Sequence, residues 1–236
     1  MDGSDNNAPS EQLADSLRAI TARGVLHPVA VLNPAAGRHA IPDDVREIQA
    51  ALRAGEWSWR RFPYYAWRYG ERGAAFTRSD SAWIVTLANY PQAVVDKQVR
   101  WLGTLLSSRG MPQWLLQVHL EGLYEELTTI LPDKRLLYER LHHAAKMLQA
   151  LRRQHISDEL FESLAAEFDV RVGREWTVQL PETGRLLVAA VADERSGIER
   201  AVTTVEAWMT APERFPVEWI TAVRSILHEA RSHSSD

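Results

Sequence analysis

His119 is the side chain whose type and spacing best fit it for chemistry. It sits among Leu115, Leu116, Leu120, Leu123, Leu127 and Leu131. At about 100° per residue that places it on the edge of an apolar helical stripe. A neutral imidazole there could coordinate haem iron or another metal, or move a proton. More often such a histidine is simply hydrogen-bonded at a core margin. His143, on the margin of the following helix, is a second histidine that could face it across the turn. Glu139 and His142 form one Glu-x-x-His of the kind that binds metals inside helical bundles. The apolar stripe of that helix runs through Leu137, Leu141, Ala144, Leu148 and Leu151, so Glu139 and His142 are expected to face solvent. No second Glu-x-x-His accompanies it.

A binding pattern stands beside these. Seven of the chain's aromatic residues lie between Trp57 and Tyr69: Trp57, Trp59, Phe62, Tyr64, Tyr65, Trp67 and Tyr69. Arg60, Arg61 and Arg68 are interleaved. Residues 53–72 carry five Arg against two Glu, a local excess of positive charge. Rings and guanidiniums together dominate protein–protein hot spots. They also stack on planar ligands and bases. The same residues could instead plug an irregular core, with Arg stems lying over the rings.

Motifs that would name a reaction do not occur. There is no phosphate-binding Gly-rich loop, dinucleotide fingerprint, nucleophile elbow or His-Glu-x-x-His. Ser79, Asp80 and Ser81 read as helix-start residues. The chain has no cysteine, which removes disulfides, thiolate catalysis and Cys-ligated metals. A formal net charge of −4 argues against a surface built for nucleic acid. Three Lys accompany 24 Arg among the 27 basic residues; Arg suits carboxylate and phosphate recognition. No stretch approaches the roughly 20 apolar residues of a membrane span, and the polar N-terminus lacks an apolar signal core. A cytoplasmic protein is expected.

The elements that must position these residues are helical. Residues 1–12 read as a disordered tail and Arg231–Asp236 as a frayed end. Val29–Leu32 could form a short edge strand. Thr77 and Asp80 resemble a capping box and predict a helix start. Further helices are predicted from Pro91 to Gly110, a left-handed cap, and from Pro112 to Leu131. Another follows Asp133, to about Gln154. Ser157 caps the next, with Ile156 and Phe161 as a hydrophobic staple. Val170, Val172, Trp176, Val178 and Leu180 alternate around Gly173, which predicts a hairpin. The apolar run Leu186–Val191 fits a strand or a helix. Ser196 and Glu199 predict one more helix start, and Pro216 opens the last helix.

The expected fold is mainly α: a bundle of about five helices over residues 40–155 plus 157–168, with a smaller C-terminal helical part and a short β-hairpin at 170–180. The expected organisation is an irregular N-terminal segment (1–38), a helical core domain (39–155) and a C-terminal α subdomain (156–236). The expected function is non-enzymatic protein binding, as a regulatory, accessory or assembly component. Another protein, or a second copy of this chain, would dock on residues 57–73 through Trp57, Trp59, Arg60, Arg61, Tyr64, Tyr65, Trp67, Arg68 and Tyr69, without a cofactor. The alternatives are a haem or metal protein using His119, and an RNA-binding protein.

Overall fold

The computed structural model of the protein describes residues 29–233; the expected tail at 1–12 lies outside them. Ten α-helices and no strand occur among the described residues. A single turn, α1 (Val29–Leu32), leads to α2 (Val45–Arg61) and α3 (Tyr64–Leu87). Then come α4 (Gln92–Ser107), α5 (Gln113–Ile130) and α6 (Arg135–Arg153), the last two joined by a 3-10 turn. The C-terminal part holds α7 (Asp158–Gln179), α8 (Thr183–Arg195), α9 (Ala201–Met209) and α10 (Val217–Ser232). No helix among the described residues is long and apolar enough to cross a membrane.

Local chemistry sets several ends. Asp44 caps α2 by accepting the Arg46 N–H at 3.0 Å, and Ser157 caps α7 by accepting the Leu160 N–H at 3.2 Å. At the end of α4 the Met111 N–H returns to Leu106 O at 3.0 Å and the Gly110 N–H to Ser107 O at 2.9 Å. That pair closes a helix only if the residue between is left-handed, and Gly110 has φ +90°.

Two apolar clusters fill the interior, and α5 belongs to both. Its Leu116, Leu120, Leu123 and Leu127 join α2, α3, α4 and α6 in one. Its Trp114, Leu115 and Val118 join α7 to α10 in the other, which also takes in Phe62 and Tyr64. In α8 every residue from Leu186 to Ala192 is buried. A helix apolar all round belongs inside a protein, so the run Leu186–Val191 is helix. Gly184 lets α8 sit directly on α7, because a Cβ there would lie 2.6 Å from Ala165 O. Each fully buried Leu, Val or Phe contributes about 1.5–3 kcal/mol.

The structure corrects five expectations. The hairpin at 170–180 is helix: α7 runs through it, bent at Gly173 (φ 77°, ψ 172°). The alternation does not mark a buried face, since Val170 and Val178 are 83% and 71% exposed. Val172 and Trp176, four apart, are the pair that packs on the core. Val29–Leu32 is a helical turn rather than a strand, its end held where Asn33 N returns to Val29 O at 3.0 Å. Thr77 lies inside α3, its hydroxyl bonded back to Gly73 O at 3.1 Å. Ser196 belongs to the end of α8, where Ile198 N reaches Asp193 O at 3.0 Å across left-handed Gly197; α9 begins later, at Ala201. Glu139 and His142 are half-buried. Tyr124 of α5 stacks on the His142 ring at 4.8 Å, a neighbour that one helix viewed alone cannot reveal.

Candidate functional site

Three helices converge on His119. Its Nδ1 lies 2.9 Å from Ser58 Oγ of α2 and its Nε2 lies 2.9 Å from Ser81 Oγ of α3. All three residues are buried. One ring nitrogen carries a proton and donates; the other accepts from a serine O–H. Every polar atom of the ring is thereby satisfied, which is what a buried polar group requires. Burial holds the His119 pKa down at about 4, so the ring is neutral at neutral pH. His119 is buried between the Leu116–Leu120–Leu123–Leu127 face and the Leu115–Val118 face of α5. His143 is exposed; the partners of His119 come from the other side, α2 and α3. A metal or haem iron at either nitrogen would displace a serine. No group of three His, Asp or Glu that could hold a metal ion occurs among the described residues.

The His119 cluster lines a cavity of about 340 Å³. Trp59 of α2 and Tyr65, Tyr69 and Phe76 of α3 present rings to it, while Leu102 and Leu106 of α4 and Leu115 and Leu116 of α5 present aliphatic groups. Its polar lining is sparse. Ser58, Ser81 and His119 are the most buried part; Arg72 and Arg109 are exposed. Asp80 lies among them, half-buried, with its pKa raised from 3.8 to about 6 by that desolvation. The Ser79 hydroxyl and the charge of Arg109 pull it back only in part.

The aromatic wall is held by named contacts. Trp59 donates its indole N–H to Thr77 Oγ1 at 2.9 Å and stacks on Tyr65 at 5.7 Å. Gly73 leaves room for this: a Cβ there would meet Tyr69 Cβ at 2.5 Å and the Trp59 ring at 3.4 Å. Gly70, with φ 52° and ψ −157°, bends α3 in a conformation essentially reserved for glycine. The bend separates the ring-bearing turn Tyr64–Tyr69 from the stretch that carries Phe76, Asp80 and Ser81. Tyr69 donates to Arg109 O at 3.0 Å and Tyr64 to Gly110 O at 2.6 Å. Arg68 bonds the Tyr64 hydroxyl and also Thr204 O of α9 at 2.8 Å. Its guanidinium lies over the rings of Tyr64, Tyr69 and Trp208.

Of the residues expected to meet a partner, Trp59, Tyr65 and Tyr69 therefore line the cavity. Tyr64 is in the core at 2% exposure. Trp57 packs over Gly122 of α5. Arg68 is half-buried in its cage of rings. Arg60, Arg61 and Trp67 face outward, Trp67 at 48% exposure; Arg61 pairs with Glu182 at 3.2 Å. Ser58, Ser81 and Asp80 were not singled out as site residues from sequence. The available signal was the placement of small hydroxyls on apolar faces: Ser58 follows Ala51 and Ala54, and Ser81 precedes Ile84, Val85 and Ala88.

Chemically, the site favours binding over nucleophilic attack. A serine next to an imidazole becomes a strong nucleophile when the imidazolium that forms is stabilised by a carboxylate. Here the second nitrogen meets another serine, and the base is weak. No protein-family model, curated protein or solved structure matches this chain, so the functional reading rests on this geometry.

Proposed function

We propose that the protein binds a small, flat, largely apolar molecule in the cavity between α2, α3, α4 and α5. The observation that carries this is the cavity itself. Pockets of roughly 300–1,000 Å³ lined by rings and aliphatic groups, with a few placed polar atoms, are the usual form of small-molecule sites. This one has four aromatic side chains and one buried Ser58–His119–Ser81 cluster. The cluster's hydrogen bonds fix the positions of three helices around the ligand. The uncharged fluorophore N-phenyl-1-naphthylamine tests the reading. It is expected to bind with one-to-one stoichiometry and to brighten on entering the apolar site. Leu106→Trp, which fills the cavity from a half-buried position, is expected to abolish that binding while leaving helical circular dichroism intact. Binding that persists in a folded Leu106→Trp variant would place the probe elsewhere and defeat the proposal.

A second reading, docking of another protein or a second copy of this chain on residues 57–73, is favoured by Trp67 and Arg60, which are exposed. Its test is the sedimentation behaviour of the full chain. A concentration-dependent dimer that Trp67→Ala abolishes supports self-docking; a monomer at all concentrations removes that form of it.

A further inference from the structure

Resting on the cavity reading, we infer that the ligand is a cation: an apolar, aromatic amine whose ammonium group pairs with Asp80.

Asp80, half-buried, differs from the buried acids Glu47 and Asp193. Glu47 accepts the Tyr138 hydroxyl at 2.6 Å and the Lys134 ammonium at 3.0 Å. Asp193 accepts the Ser107 hydroxyl at 2.6 Å and the Gln113 N–H at 2.8 Å. Asp80 has one long hydrogen bond, from Ser79 Oγ at 3.4 Å. That hydroxyl has a single proton and a better acceptor in Phe76 O, at 3.0 Å. Among the described residues Asp80 forms no ion pair. Asp80 is half-buried, and a carboxylate partly withdrawn from water with few donors gains from a bound cation. Its lining position gives a bound molecule access to it. An ammonium would supply both the missing charge and up to three N–H donors.

The rest of the lining fits a cation as well. Trp59, Tyr65, Tyr69 and Phe76 can present negatively polarised ring faces, which attract ammonium groups. The charged and titratable groups that line the cavity with Asp80 are Tyr65, Tyr69 and Arg72 on its own helix, Arg109 from the turn after α4, and His119 from α5. His119 is neutral. Arg72 and Arg109 are exposed, so water and salt screen them. An anion drawn inside would instead meet the half-buried carboxylate of Asp80.

The protein's own titration gives a second handle. Burial holds Asp80 at about 6, so acid removes the partner of the ammonium. Affinity for an amine should fall about tenfold per pH unit below about 6, whereas affinity for a neutral analogue should not.

Calorimetric titration of the full chain with tryptamine, 3-propylindole and indole-3-propionate tests the inference, because the three share a ring and differ in charge. At pH 7.5 tryptamine is expected to bind at least about tenfold tighter than 3-propylindole, with indole-3-propionate weakest. The advantage of tryptamine is expected to collapse in Asp80→Asn and, in the unaltered protein, to shrink about tenfold on lowering the pH from 7.5 to 5. The second arm needs no variant to fold. Tryptamine binding no tighter than 3-propylindole at pH 7.5, or an advantage that does not shrink between pH 7.5 and 5, overturns the cationic assignment and leaves the cavity reading standing. Tightest binding of indole-3-propionate does the same. Failure of all three to bind overturns both.

Discussion

Replacing Asp193 by Asn should change how stability depends on pH, and the structure sets the size of the change. Asp193 reaches from α8 to the start of α5, where it accepts the Gln113 N–H at 2.8 Å and the Ser107 hydroxyl at 2.6 Å. The Gln113 N–H is one of the donors that a helix leaves unpaired at its N-terminus, and Asp193 caps it from another element. Burial outweighs these bonds and raises the carboxyl pKa from 3.8 to about 7. Between those values the folded protein keeps a proton that the unfolded chain has released. Stability therefore falls as pH rises through that window, by about 1.36 kcal/mol per pH unit, to a total of about 4 kcal/mol, and levels off above about 7. Asn titrates nowhere in the range. Its amide N–H₂ adds a buried donor that needs an acceptor, a constant cost of about 1–3 kcal/mol. The variant should thus be the weaker protein near pH 4.5 and gain on the parent steadily, crossing it between about pH 4.5 and 6 and exceeding it at pH 8 by about 1–3 kcal/mol. Urea unfolding of both proteins from pH 4.5 to 8 measures this. The comparison is needed because other groups titrate too. His119, lowered from 6.5 to about 4, makes stability rise with pH over that interval. Asp80, raised from 3.8 to about 6, adds to the fall. Both cancel in the difference between parent and variant. A difference that stays constant across pH would refute the reasoning about Asp193.

Ser58→Ala and Ser81→Ala should each destabilise the protein by about 1–3 kcal/mol, since each strands one nitrogen of a buried imidazole; unfolding midpoints in urea report this, and the double variant should cost less than the two combined if one relaxed ring serves both losses. Gly110→Ala should cost at least about 1–2 kcal/mol from its left-handed backbone alone, and more because the new Cβ would sit 2.6 Å from the Arg68 guanidinium carbon. Its melting temperature should drop further than that of Gly197→Ala, where the same φ of +90° meets open space.

The helical class of the fold was legible because most helices carry a periodic apolar face, and because Ser157, Gly110 and the prolines mark ends through chemistry that acts within a few residues. The stretch 170–180 was misread for a physical reason. Alternating Val residues suggest a strand only if one face is buried, and whether Val170 and Val178 meet anything depends on elements far along the chain. The density of rings at 57–69 was visible; their direction was not. It depends on Gly73 admitting Trp59 and on the bend at Gly70, neither of which periodicity encodes. His119 could be picked out as an imidazole on an apolar helix. Its partners stand 61 and 38 residues away, on two other helices, and a serine in such a helix gives no sign of which side chain it will meet.

Because α5 lends one side to each apolar cluster, neither half of the protein has a complete interior without it. Melting either cluster strips that helix of part of its support and weakens the other. Heating should therefore give one cooperative transition instead of two. A cut made between α6 and α7 would leave each fragment short of a wall: the first with Leu115 and Val118 bared to water, the second without the helix its own apolar side chains close upon.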